Sequence, residues 1–427
     1  MQSDRTYLDR TEEQFQEEVE RNYRWNFTFF TFEITAFFFG STLISGWTIV
    51  PLYISKLTTS PIPIGIAALL TQGSAYLPQI FTANLIERSP AMKPLVVRIG
   101  FFLERIPLVL LVLSAIVATQ SPALALLIFL FGYAWYGVGA GMLGPAFQDI
   151  IARCFPVEKR GRFFGFSSSL GTLTGVAGSG LSIWLLASYS FPDNFTSLFI
   201  IAAGAIILSW AFLTFIREPI PKENTFQQTG SEFRAGLSEI LRRKHNFRRF
   251  VIARLLLGMG TMGAGFITVS AIQIWGVSDS TVGTYTTLLL IGQSIAAILF
   301  GLLADRKGHV LSLKISALAA GLGYLLTWSA PSQYFYMASF LLLGLANGGA
   351  IVSGFLGVME FAEPERRPTY QGITSAGMGL VGIVAPVLGT GLAVVSYPWL
   401  FGLSAFINLL AASALHFWVR EPRFSQE

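Results

Sequence analysis

Long apolar stretches recur along this chain, and they constrain its fold more than any other feature. Each has about 20 residues or more, the length at which an α-helix crosses the hydrocarbon core of a bilayer, whereas barrel strands would alternate over about ten residues. Charged residues make up only 12% of the 427 positions, against roughly 25% in soluble globular proteins. The sequence therefore predicts an all-α polytopic membrane protein with twelve transmembrane helices. The predicted spans are 27–53, 61–86, 94–119, 122–151, 163–190, 195–216, 250–275, 280–304, 310–330, 333–359, 369–395 and 397–419.

Basic residues are distributed unevenly between the predicted connections. Of the 29 lysines and arginines, 26 fall at the termini, in connections or at the ends of spans on one side. Lys56 alone falls on the other side, and Arg105 and Arg254 lie inside predicted spans. Because positively charged loops tend to stay in the cytoplasm, this pattern predicts cytoplasmic termini and a plasma (inner) membrane protein. Topology explains the net charge of +5, so no nucleic-acid partner is expected.

The first 26 residues are polar and acidic, unlike a cleavable signal peptide. Phe15, Val19 and Tyr23 recur at four-residue spacing, which places them on one face of a helix. This pattern predicts a short amphipathic helix on the cytoplasmic membrane surface. A disordered tail is the alternative.

The two halves of the chain repeat each other weakly. At a constant offset, Glu158 matches Glu365 and Arg160 matches Arg367, and the halves end alike in Arg-Glu-Pro at 217–219 and 420–422. Such a repeat predicts two bundles of six helices joined by a polar linker. The expected division is an N-terminal segment at 1–26, a first bundle at 27–216, a cytoplasmic linker at 217–249, a second bundle at 250–419 and a tail at 420–427.

A short polar turn follows the eighth predicted span. It reads Gly-x-x-x-Asp-Arg-x-Gly at Gly301, Asp305, Arg306 and Gly308, with a degenerate copy around Glu87 in the first half. With twelve spans and a 6+6 repeat, this turn resembles the signature of the major facilitator superfamily. The resemblance implies a secondary transporter in which two bundles rock about a central site, alternating access between the two sides. It also implies no cofactor and a small organic solute as substrate, with protons as a candidate second partner.

The signature turn suggests a latch on the cytoplasmic side. Its carboxylate is expected to interact with a helix N-terminus, and its arginine to pair with acids on neighbouring spans, Glu360 being the candidate partner of Arg306. The alternative is that these charges only fix topology. The predicted latch residues are Gly301, Asp305, Arg306, Gly308, Glu360, Glu87, Arg88 and Asp149.

Charged residues inside the spans are candidate transport residues, because they are costly in hydrocarbon. Glu33 in span one and Arg254 in span seven come first, since the resemblance implies that these spans face the cavity. Glu104 and Arg105 in span three form either a structural or a functional pair. Glu33 is a candidate proton site or a partner of Arg254. Further polar candidates for the cavity are Gln72, Tyr76, Tyr133, Gln273, Gln293 and Asn347.

The sequence lacks the usual motifs of an enzyme. It contains no Walker A loop, no HExxH metal site and no Gly-x-Ser-x-Gly elbow with a histidine partner. We therefore expect no enzymatic activity, no metal, and a monomer embedded in lipid. Span five lacks the Gly-Pro step of the superfamily's antiporters, which disfavours a multidrug:proton antiporter. A non-transporting sensor or scaffold, or a lipid-modifying enzyme, remains the alternative to a transporter.

Overall fold

The computed structural model describes residues 12–73, 89, 91–219, 240, 242–362 and 366–424. Throughout these residues the regular elements are helices. Contacts divide the chain into two compact units, Met1–Ile44 with Ser74–Gln227, and Ser45–Gly73 with Gln228–Glu427. The described helices of the first unit are α1 (Glu12–Thr42), α4 (Met92–Ile99), α5 (Ile106–Val117), α6 (Pro122–Cys154), α7 (Val157–Ser188) and α8 (Asp193–Thr214). Those of the second are α2 (Ile49–Leu57), α3 (Ile62–Gly73), α9 (His245–Met259), α10 (Ala264–Trp275), α11 (Asp279–Lys307), α12 (His309–Trp328), α13 (Tyr334–Glu360), α14 (Arg367–Val395) and α15 (Tyr397–Phe417).

Ten of the described helical segments are long and apolar enough to cross a membrane. They correspond to predicted spans three to twelve, which confirms an integral membrane protein with the predicted helical layout. The first predicted span is covered by α1 and part of α2. The second begins with the shorter apolar helix α3, and its continuation at 74–86 lies outside the described residues.

The N-terminal segment differs from its predicted form. Residues 12–26 are not a separate surface helix, because they belong to α1 together with most of the first predicted span. Val19 is buried, and the ring of Tyr23 packs edge-on against Phe155, with 5.9 Å between centroids. Glu20 forms an ion pair of 2.7 Å with Lys159. The apolar face that was expected to bind lipid thus covers the protein instead.

An aromatic cluster holds α1 against the junction of α6 and α7. Phe155 and Phe163 stack with their ring centroids 4.2 Å apart, and Phe30 packs against both. All three side chains are fully buried. Aromatic pairs at such distances stabilise a core beyond the area they bury. This cluster fixes the end of the first unit that the charge pattern predicts to be cytoplasmic.

The third predicted span contains a π-helical segment at Gly100–Arg105, between α4 and α5. Pro107, two residues after the segment, has no N–H to donate, so the ordinary i to i−4 ladder is interrupted here. Gly139 of α6 packs onto the backbone of Leu103, where a Cβ would not fit. The wider π turn therefore lies at a close helix contact and determines where Glu104 and Arg105 point.

Residues 45–73 pack with the second unit, although the predicted boundaries placed them in the first bundle. The hydroxyls of Thr48 and Thr286 are hydrogen-bonded at 2.6 Å, and Lys56 pairs with Asp279 at 2.7 Å. Gly65 lies so close to Thr390 that the site has no room for a Cβ. These contacts link a segment from early in the sequence to helices α11 and α14.

Candidate functional site

Glu33 is buried in the first unit, with 5% of its surface exposed. Its Oε1 accepts a hydrogen bond of 3.0 Å from the hydroxyl of Ser209 on α8, and its Oε2 has no hydrogen-bond partner among the described residues. We expected Glu33 to line an open cavity, but the packing of α1 on α8 encloses it. A half-satisfied carboxylate in a dry site is costly unless it is protonated or close to a cation.

Glu104 and Arg105 form a buried ion pair beside it, each with 2% of its surface exposed. The guanidinium of Arg105 also donates to the carbonyl oxygen of Gly100 at 3.2 Å and of Ile206 at 3.4 Å. The π-helical turn brings the Gly100 carbonyl within reach. Arg105 is therefore held by three acceptors from two segments of the first unit.

These three ionisable groups act as one electrostatic cluster. Both Arg105 and Glu104 interact electrostatically with Glu33, and both also interact with Tyr136 on α6. Tyr133 stacks on Tyr136 with 6.3 Å between ring centroids. An arginine stays charged in proteins, so the cluster holds one fixed positive charge and two carboxyl groups. It is neutral only when one carboxyl group carries a proton.

Polar candidates in the second unit form smaller groups. Gln72 donates to the hydroxyl of Thr261 at 3.2 Å, beside a cavity of about 10 Å³, which has room for roughly one water molecule. Asn347 donates to the side-chain oxygen of Gln293 at 3.5 Å, joining α13 to α11. Gln273 is exposed near the end of α10. Tyr76 lies outside the described residues.

Arg254 lies on α9 and packs against α13. Its guanidinium donates to the carbonyl oxygen of Ala350 at 3.2 Å and fills the space over Gly354, where a Cβ would not fit. The side chain is half-buried. The contacts described here for Arg254 hold it within the second unit.

The signature turn joins α11 to α12, with Gly301 and Asp305 on α11. Gly308 has φ of +90°, and a Cβ there would overlap the carboxyl group of Glu421. Only glycine adopts this conformation without strain and also leaves room for Glu421. Asp305 and Arg306 lie in the last turn of α11, and both are exposed. Asp305 is thus at a helix C-terminus and not at the N-terminus where we expected a carboxylate.

Glu421 takes the position predicted for Asp305. It accepts a hydrogen bond of 3.0 Å from the backbone N–H of Val310, in the first turn of α12. Burial, together with Glu360, raises the pKa of Glu421 to about 7, against the opposing effects of the Val310 N–H and Arg423. A proton shared between Glu360 and Glu421 turns the contact of two carboxylates into a hydrogen bond.

Glu360 pairs with Arg423, not with the predicted Arg306. The guanidinium of Arg423 also donates to the carbonyl oxygens of Ala304 at 3.2 Å and Asp305 at 3.0 Å. His309 lies 3.7 Å from Glu360. Arg423 pairs with Glu360 in place of Arg306 because its guanidinium reaches both the free carbonyls at the C-terminus of α11 and the acid that ends α13.

The first unit carries a counterpart of this cluster. Glu218 accepts hydrogen bonds from the backbone N–H groups of Met92 at 2.8 Å and Lys93 at 2.7 Å, at the start of α4. Arg153 lies 3.3 Å from Glu218 and pairs with Asp149 at 2.8 Å. Glu87 and Arg88 lie outside the described residues.

Several of these side chains were not singled out from the sequence. The Arg-Glu-Pro triplets of the two halves were recognised as a repeat, but not as the source of the carboxylates Glu218 and Glu421. Their recurrence immediately after spans six and twelve is a signal that could have identified them. Ser209 carries the one hydroxyl of the apolar run 198–213 in α8, and nothing in the neighbouring sequence marks it as a partner of Glu33.

Comparison with known families identifies the family to which this chain belongs. The profile described as Major Facilitator Superfamily matches residues 32–273 and 250–427. The chain belongs to the major facilitator superfamily. As a member, it is a secondary transporter that moves a small solute across the membrane, and it is not an enzyme.

Individual relatives agree with this assignment. The chain is 25% identical over 407 residues to an uncharacterised MFS-type transporter of Salmonella typhimurium, covering 91% of this chain and 96% of the relative. Among solved structures, the nucleoside transporter NupG superposes with a TM-score of 0.68 at 14% identity, covering 92% of this chain and 98% of that one. A D-xylose-proton symporter gives a TM-score of 0.66 at 15% identity, covering 94% and 99%. At these identities the structures show a shared fold.

Proposed function

We propose that this transporter couples movement of its solute to protons through Glu33. The observation that carries the proposal is the cluster of two buried carboxyl groups and one arginine in the first unit. With both carboxyl groups ionised, the cluster carries a net negative charge away from water, which is expensive inside a membrane. Binding one proton removes that charge.

Glu33 is the proton-binding member of the pair of acids. Glu104 is paired directly with Arg105, whereas Oε2 of Glu33 has no hydrogen-bond partner among the described residues. A proton on Oε2 leaves the bond from Ser209 to Oε1 in place. Gain or loss of this proton changes the charge between α1, α8 and the π-helical segment, and so links protonation to how these helices pack. The D-xylose-proton symporter of similar fold is compatible with such coupling.

The Glu33→Gln variant tests the proposal, because it keeps the size of the side chain and removes titration. A thermal-shift screen of sugars, nucleosides and amino acids first identifies the solute by its stabilisation of the wild-type protein. In proteoliposomes, Glu33→Gln should abolish accumulation driven by a pH gradient while solute exchange continues. Ser209→Ala is the matched control: it removes the hydrogen bond and leaves the titrating group, so gradient-driven uptake should persist.

Two results would contradict the assignment. Accumulation of solute by Glu33→Gln in response to a pH gradient would exclude Glu33 as the coupling site. Loss of exchange together with uptake, in a protein that still folds, would instead place Glu33 in solute binding. An infrared difference spectrum gives a readout that needs no solute: the band of a protonated carboxyl group that titrates in the wild type should be missing from Glu33→Gln.

We further propose that the protein is a monomer in the plasma (inner) membrane with both termini in the cytoplasm. The distribution of lysine and arginine supports this orientation. Cysteines introduced at Thr59 and Asp193 should react with impermeant reagents from outside only, and one at Glu158 from inside only. The reverse accessibility would invert the orientation.

The charge clusters around Glu421 and Glu218 are our proposal for the cytoplasmic latch. Each joins the start of one helix to the end of another within its own unit, through contacts that a small displacement would break. In the second unit the exposed Asp305 and Arg306 lie beside this cluster, and Arg423 forms the contacts predicted for Arg306. Asp305→Asn should slow transport while leaving the protein folded, and unchanged flux would remove Asp305 from the latch.

A further inference from the structure

A basic pocket lies between α12 and α15, on the surface of the second unit. Its volume is about 290 Å³, and it is lined by Lys314, Leu318, Ala412, Ser413, His416 and Phe417. Neither the proton cluster nor the latch contains any of these residues. The lining is polar at one end and apolar at the other, so it matches a molecule with a polar head and an apolar tail.

Lys314 and His416 form the polar end. Lys314 Nζ lies 3.5 Å from His416 Nδ1, so the ammonium donates to this nitrogen and the imidazole proton is on Nε2. This leaves two N–H groups of Lys314 and one of His416 to donate to another acceptor. Among the described residues, neither side chain forms an ion pair with an acid. The pocket therefore presents a cation and three donors without a counter-charge.

The position of Lys314 along α12 indicates which acceptor is available. It is five residues after His309, the first residue of α12, or about 7 Å along the axis. A helix of 20 residues spans about the thickness of the hydrocarbon core, so the backbone of Lys314 lies about 7 Å inside the boundary between headgroups and acyl chains. A lysine at this depth extends its charge toward the headgroups.

The apolar end of the pocket faces lipid. Leu318 and Leu322 on α12 are exposed there, and beside the polar end Phe417, the last residue of α15, has 78% of its surface uncovered. Further along the same pair of helices a second apolar cavity of about 520 Å³ lies between Leu325 and Leu409. Two cavities thus lie along the groove between α12 and α15, separated where Gly321 packs against Leu409.

We propose that this groove binds an anionic phospholipid, with its phosphate at Lys314 and His416 and an acyl chain along Leu318 and Leu322. Basic pockets between transmembrane helices on the cytoplasmic side recruit anionic headgroups, and each lysine near the surface contributes enough attraction for about a fivefold gain in affinity. The lipid phosphate supplies the negative charge for the Lys314 ammonium, which has no acidic side chain as a partner among the described residues. The acyl chain of the lipid covers the exposed apolar side chains.

Native mass spectrometry of the purified full-length protein in neutral detergent tests the site with phosphatidylglycerol and phosphatidylcholine. The wild type should bind phosphatidylglycerol more tightly than phosphatidylcholine. Lys314→Gln should lower the affinity for phosphatidylglycerol about fivefold. Lys307→Gln is the matched control: it removes the same charge from an exposed position at the end of α11, and it should leave lipid binding unchanged.

A second variant tests the pocket without changing its charge. Ser413→Trp fills the exposed mouth on α15 and should remove the bound lipid while Lys314 and His416 remain. Free glycerol 3-phosphate at millimolar concentration should not displace the lipid, because the acyl chain contributes to binding. The proposal is overturned if phosphatidylglycerol binds no more tightly than phosphatidylcholine, or if Lys307→Gln and Lys314→Gln weaken it equally. It is also overturned if Ser413→Trp retains the lipid, or if glycerol 3-phosphate displaces it and the ligand is thus a free phosphate.

Discussion

Replacing Glu218 by glutamine should destabilise the first unit at its predicted cytoplasmic end. The carboxylate accepts two backbone N–H bonds of 2.8 and 2.7 Å at the start of α4 and faces Arg153 at 3.3 Å. Its side chain is only 4% exposed. Hydrogen bonds to a charged group contribute about 1.5 to 3 kcal/mol each. Glutamine retains one carbonyl acceptor, so one such bond and the attraction to Arg153 and the helix dipole are lost. We expect a loss of about 3 kcal/mol in the free energy of unfolding, within the range for a buried pair that loses one partner.

The assay is reversible unfolding in mixed micelles at pH 7.5, followed by the circular dichroism of the helices. Glu421→Gln is the matched control in the second unit, because its carboxylate accepts one backbone N–H bond and contacts another acid. Glu421→Gln should lower the free energy of unfolding by less than half as much as Glu218→Gln does. Our account of the Arg-Glu-Pro carboxylates would be refuted if Glu218→Gln unfolded within about 0.5 kcal/mol of the wild type, the ordinary range of surface substitutions.

The remaining predictions concern the signature turn and its surroundings. Gly308→Ala should lower the free energy of unfolding by about 1 to 3 kcal/mol. Alanine is strained at φ of +90°, and its Cβ would overlap Glu421. Gly301→Ala, in open space within a helix, should be neutral or slightly stabilising in the same unfolding assay. Glu421 has a folded-state pKa of about 7, above its ordinary value of 4.5, so the stability it contributes is complete below pH 4.5 and is lost as the pH rises through 7. Glu421→Gln should remove this part of the pH dependence. If thermal stability changed with pH between 5 and 8 in the variant as it does in the wild type, the assigned role of Glu421 would be contradicted.

The helical spans could be predicted because their signal is local. Each lies in an uninterrupted apolar stretch, and the ends of the helices follow from prolines and polar residues close by. The family followed from the turn at Gly301 to Gly308, whose residues are adjacent in the sequence. In contrast, the short amphipathic helix predicted within residues 1–26 is, over its described part, the beginning of the longer helix α1. An apolar face at four-residue spacing has the same appearance whether lipid or protein covers it.

The candidate site could be predicted only in part, because its contacts join distant residues. Glu33 was identified from its cost in hydrocarbon, but its partner Ser209 is 176 residues away and is not marked by any pattern. The sequence placed Glu104 and Arg105 side by side without showing which way they point. That direction depends on the π turn before Pro107, a backbone feature that helical periodicity does not contain. Likewise, the arginine that reaches Glu360 is Arg423, which follows the last span.

The packing of residues 45–73 with the second unit has a consequence for how the protein is made. Thr48 and Thr286 are separated by 238 positions, so the ribosome synthesises one long before the other. At a synthesis rate of about 5 to 20 residues per second, the early segment waits roughly 10 to 50 s for its partners. During that interval the hydroxyl of Thr48 has only its local hydrogen bond to Ser45, and Lys56 lacks the carboxylate of Asp279. A membrane-insertion chaperone would be needed most during this delay. Slowing translation between the two segments should lower the yield of folded protein.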